Sequence, residues 1–105
     1  MSLDELADEF VVSRDRLVPH LRRERIAVPI YTVLEGDPDR PVGDGFYLGP
    51  NGDLEFKFGM MGYSSPASPE EVVKAFVLFG EMLTPREALH RVTVSLNQWY
   101  DRLAD

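Results

Sequence analysis

Five arginines, Arg14, Arg16, Arg22, Arg23 and Arg25, fall within one short stretch of an acidic chain. Guanidinium groups stay charged at any physiological pH and present a planar fork of donors, so a cluster of them is equipped to bind phosphate oxygens and guanine edges. Ser13, Asp15 and His20 are interleaved with them. Asp15 can accept from a cytosine amine or repel phosphate, and Ser13 has the side-chain oxygen that caps a helix start. The chain as a whole carries a net charge of −7, which opposes indiscriminate nucleic-acid binding unless positive charge is gathered on one face. It is gathered: residues 1–12 sum to −4, residues 13–30 to +3 and residues 31–105 to −6.

Other chemistries find little support. There is no cysteine, which removes disulfides, thiolate metal sites and cysteine nucleophiles and suits a reducing cytosol. His20 and His90 have no second histidine near them in sequence, and no glycine-bracketed serine elbow or phosphate-cradling loop is present. Asp37, Asp39 and Asp44 stand in a loop rich in glycine and proline, but without the alternation and closing glutamate of a calcium loop, so a solvated loop is the reading. The sequence therefore predicts no enzyme, no metal and no cofactor. No apolar run reaches the length of a membrane span, and Ser2–Glu9 is acidic where a signal peptide would be basic. The expectation is a cytoplasmic protein with no membrane partner.

The elements that must position the arginines follow from periodicity. Ser2-Leu3-Asp4-Glu5 is a capping box, so a helix begins at Leu3, with Leu3, Leu6, Ala7 and Phe10 on one face. Leu17 and Leu21 share a face of a second short helix that Ser13 would cap, with Val12 in the turn between the two. Pro19 either kinks that second helix or starts it. Over these sixteen or so residues the pattern resembles the helix-turn-helix of bacterial transcription regulators, in which Ala7, Val12, Ser13, Leu17 and Leu21 match the small packing residue, the turn plug, the cap and two core contacts. The same residues also describe a charged helical hairpin packed on a sheet with no nucleic-acid role.

Ile26–Leu34 reads as a strand, with Pro29 holding part of it at an edge. Phe46–Phe58 reads as a hairpin around Pro50-Asn51-Gly52, with Gly52 left-handed and Phe46, Leu48, Leu54, Phe56 and Phe58 on one face. Gly59–Ala67 has the composition of a flexible connector. Ser68-Pro69-Glu70-Glu71 and Thr84-Pro85-Arg86-Glu87 open two more helices, about Pro69 to Met82 and Pro85 to Ala104. The first of these is apolar on nearly every side, which calls for cover from the sheet and from a second copy.

The fold expected is α+β in one domain: a winged helix-turn-helix with two N-terminal helices and a small antiparallel sheet over 1–59, extended by a C-terminal helical hairpin over 68–105. The resemblance implies a transcription regulator or accessory factor that binds double-stranded DNA as a homodimer. Ser13, Arg14, Asp15, Arg16, His20, Arg22, Arg23 and Arg25 would then face the duplex, with Lys57 on the wing. The rival is a non-enzymatic module that binds a protein partner through the Arg14–Arg25 stripe or its acidic surface.

Overall fold

The Ser2 side chain accepts from the Glu5 N–H at 3.2 Å, and the helix that starts behind it does not break at Val11–Val12. In this computed structural model, which describes residues 1–33 and 43–104, Leu3–Glu24 is one helix of 22 residues, α1. This corrects the helix-turn-helix reading. Ser13 lies inside α1 and is buried, and Val12, the expected plug, is 66% exposed. Nothing in VVS supplies the positive φ that a tight turn needs, whereas Leu6, Phe10, Ser13, Leu17 and Leu21 form one uninterrupted buried stripe. Continuity of that stripe outweighs Pro19. Its missing N–H frees the Asp15 carbonyl on the exposed side of the helix, where water can reach it.

Arg25 ends α1 in the left-handed region (φ 56°), with its N–H and that of Ile26 both returning to the Leu21 carbonyl. Four antiparallel strands follow in chain order, forming a sheet β1-β2-β3-β4: β1 (Val28–Val33), β2 (Asp44–Leu48), β3 (Asp53–Phe58) and β4 (Met61–Pro66). The β2–β3 hairpin has the register expected, with Leu48 opposite Leu54 and Phe46 opposite Phe56. Its loop closes by a Gly52 N–H to Gly49 carbonyl bond at 3.1 Å, with Gly52 at φ 78°. The connector reading of Gly59–Ala67 is corrected: a Gly59–Met60 turn, with Gly59 at φ 58°, returns the chain as β4. Asp37 and Asp39 lie outside the described residues, while Asp44 accepts from the Gly59 N–H at 2.7 Å.

Helix α2 (Pro69–Leu78) is capped by Ser68 and ends four residues before Met82, where Gly80 turns the chain at φ 80°. Helix α3 (Pro85–Ala104) starts at the reciprocal Thr84–Glu87 box and keeps the predicted apolar face. The C-terminal hairpin is expected to pack on the N-terminal unit or to form a dimer interface, and within the chain α3 packs most extensively on α1. Met1 meets Arg86, Arg16 meets Asn97 and Arg23 meets Leu103, so α1 and α3 run parallel. The small buried residues Ser13 and Thr93 line the same inter-helix groove. The core joins the α1 stripe to Val72, Phe76, Leu89, Val92 and Leu96 and to the inward side of the sheet.

Candidate interaction site

Two parallel helices bring their free carbonyl ends together, and Arg22, Arg23 and Arg25 collect there, while Arg14 and Arg16 lie farther back along α1. Arg23 donates to the Leu103 carbonyl of α3 at 3.4 Å and to His20 Nδ1 at 3.1 Å, and it lies 3.4 Å from Glu24. His20 in turn sits edge-on to Tyr100 at 5.3 Å. Arg16 bonds Asn97 at 2.9 Å and stacks 3.8 Å over the Tyr100 ring. Arg14 donates to the Ala67 carbonyl at 2.8 Å and pairs with Asp15 at 2.9 Å, tying α1 to the end of β4. Basic groups near two aligned C-termini, and acids at the other end (Asp4, Glu5 and Glu87), complement both helix dipoles. The charge segregation read from the sequence thus has a structural use.

The predicted contact residues are therefore not presented as one recognition surface. Ser13 is buried, Arg14, Arg16, Arg23 and His20 are engaged within the chain, and Lys57 sits on the far face of the sheet, 5.2 Å above the Tyr47 ring. Arg22 and Arg25 are exposed, and Arg22 shares a shallow groove with Arg14 and the Asn51–Gly52 tip. Among the described residues there is no group of His, Asp and Glu side chains that could hold a metal, and no helix is long and apolar enough to cross a membrane.

The two edges of the sheet differ. At β1, Pro29 has no N–H, a register shift interrupts the ladder between Pro29 and Tyr31, and the Trp99 indole donates to the Pro29 carbonyl at 3.3 Å. Gly45 accepts this irregularity because a Cβ there would lie 2.0 Å from the Tyr31 carbonyl oxygen. Tyr31 is held by Glu81 at 2.7 Å, with Arg91 over its ring at 5.7 Å. The hydrogen bond to Glu81, then burial, push the Tyr31 phenol above its ordinary value of 10.0; burial does the same to Tyr47.

At β4 the ladder is regular, from Asp53 opposite Pro66 to Phe58 opposite Met61. A two-residue turn makes Phe58 and Met61 a hydrogen-bonded pair, and alternation then assigns Tyr63 and Ser65 to β3 and turns the N–H and C=O of Gly62 and Ser64 outward. The Ala67 N–H to Gly52 carbonyl bond at 3.3 Å continues the same alternation. Tyr63 stacks on Phe56 at 4.6 Å, Phe58 stacks on Phe79 at 4.9 Å, and both pairs lie on the helix-bearing face. The helices leave this corner partly open, with Tyr63 53% and Met61 78% exposed. The run from Phe58 to Pro69 is also the longest charge-free stretch of the chain. Sequence reasoning missed this edge because Gly59, Gly62, Ser64 and Ser65 have the composition of a loop. The readable signal was Tyr63, placed to face Phe56 once the glycine turn is accepted.

Comparison with protein-family models, with curated proteins and with solved structures finds no match, so the geometry of the edge and of the arginine cluster is what the functional reading stands on.

Proposed function

We propose that this protein is a non-enzymatic interaction module that adds an extended protein segment to its sheet along β4. The observation that carries the reading is a regular edge strand with outward backbone groups at Gly62 and Ser64, free of charge and flanked by a partly open aromatic corner. Folded proteins blunt such edges with prolines, bulges or charges, as this one does at β1, because unpaired backbone groups recruit another strand. Strand addition draws affinity from the main chain and selectivity from alternate side-chain pockets. Here the half-exposed Tyr63 ring, with Met61 beside it on the same face, favours an apolar or aromatic residue.

Selection of extended peptides on the immobilised protein tests this. Neutral peptides of high β propensity should be enriched by the parent protein and lost with Ser64→Pro, which removes an outward N–H while sparing the ladder to β3. Enrichment that ignores Ser64→Pro would overturn the edge. The duplex-DNA expectation is the competing outcome. Fluorescence anisotropy would then show log affinity falling against log salt with a slope of roughly −3 to −4, shallower by up to about two in the Arg22→Ala, Arg23→Ala double variant.

A further inference from the structure

Resting on that edge reading, we infer that the occupant of β4 is a second copy of the same chain, paired antiparallel with Tyr63 on the two-fold axis. The first argument is electrostatic. Two copies of a protein with net charge −7 repel across most of their surfaces, and a symmetric interface places like against like. The charge-free run from Phe58 to Pro69 is the longest stretch that can meet itself without apposing like charges. The exposed side of α2 offers a poorer alternative, since Val77 and Leu78 are interleaved there with Glu70 and Lys74.

The second argument is register. The outward N–H groups of β4 belong to Gly62 and Ser64, since Pro66 at the next outward position has none, so a symmetric antiparallel ladder pairs Gly62 with the partner's Ser64 and Ser64 with the partner's Gly62, each pair exchanging both bonds. Tyr63 then faces the partner's Tyr63 in the closer, non-hydrogen-bonded position. Because Tyr63 and Met61 both lie on the helix-bearing face, this register also brings the two open aromatic corners side by side and covers Tyr63 with its symmetry mate. The result is a continuous eight-stranded sheet, β1 to β4 and back, whose two outer edges are the blunted β1 strands.

Sedimentation equilibrium between about 5 and 500 µM covers the range of a weak dimer. The parent chain should move from monomer toward dimer mass, and Ser64→Pro and Tyr63→Lys should each weaken association at least about tenfold, equivalent to roughly 1.4 kcal/mol. Added salt should strengthen the dimer by screening the net charge, whereas an arginine-to-acid interface would weaken. In this cysteine-free chain, Tyr63→Cys should cross-link to itself under mild oxidation and Val77→Cys should not. A monomer throughout the range that still selects Ser64→Pro-sensitive peptides overturns the second copy and leaves the edge reading intact. A monomer that selects none overturns both. A dimer weakened by salt, or cross-linked at Val77 and not at Tyr63, overturns the register proposed.

Discussion

The outer strands of one small sheet have been treated in opposite ways. β1 is interrupted by Pro29, shifted in register, bonded by Trp99 and fastened through Tyr31 to Glu81. β4 keeps a regular ladder with neither a charge nor a bulge, and its one proline, Pro66, stands at the last position of the strand. Both strands are short and both are free of charge, so composition does not separate them. The difference lies in which backbone groups remain available. A protein that blunts one edge with several independent features and leaves the other regular is built to be joined on one side only.

The contrast can be broken most severely at Gly45. Gly45→Ala would set a Cβ 2.0 Å from the Tyr31 carbonyl oxygen and 2.9 Å from Thr32 Cα, both backbone atoms, so the β1–β2 ladder must part. A loss of about 3 kcal/mol or more in urea unfolding is expected, at the upper end of the range for overpacking. Gly52→Val at the tip joining β2 to β3 should lose about 1 kcal/mol or more, because a β-branched residue resists a φ of 78°. No atom but a Val18 methyl, 3.9 Å away, comes near an added Cβ there, so that loss isolates the backbone term.

Alkaline titration should separate the edges by pH. The Tyr31 phenol, raised by its bond to Glu81, is held neutral in the folded state, so its stabilising contribution is complete below the ordinary tyrosine value near 10.0 and is lost as pH rises through the raised one. Tyr47 acts in the same direction through burial. Urea midpoints measured across this window should fall, and Tyr31→Phe should flatten part of the fall while leaving the behaviour of β4 unchanged. The smallest effect is expected at Gly62→Ala. Its Cβ meets only the Phe56 carbonyl oxygen at 3.1 Å, so a shift of a few tenths of an ångström suffices and stability should change by less than about 1 kcal/mol. If Gly62→Ala proved as damaging as Gly45→Ala, β4 would be as constrained as β1 and the contrast would fail.

Much of the fold was legible because local signals agreed with global ones. The three capping sites at Ser2, Ser68 and Thr84, the Pro50-Asn51-Gly52 loop, the edge position of Pro29 and the apolar face of α3 were all readable from residue type and spacing. The N-terminal helix was misread where local and tertiary preferences conflict. Ser13 and Pro19 favour a break locally, whereas the continuous packing of Phe10, Leu17 and Leu21 against α3 favours none. That packing depends on residues about eighty positions away, which no window of sequence contains. The arginine cluster was visible as charge, but its use at two aligned helix ends required knowing that α1 and α3 are parallel. β4 was hidden by its glycines and serines.

The parallel pairing of α1 with α3 also bears on biosynthesis. Hairpins β2–β3 and β3–β4 join neighbours in sequence and can form soon after they leave the ribosome, but α3 is the last of these elements to be translated. Until Leu89, Val92 and Leu96 emerge, α2 can cover part of the inward side of the sheet through Phe76 and Phe79, but the stripe of α1 lacks its main partner. A nascent chain stalled before α3 therefore presents the uncovered apolar stripe of α1 and a strand-recruiting margin together. That combination is what holding chaperones bind and what aggregates when they are lacking.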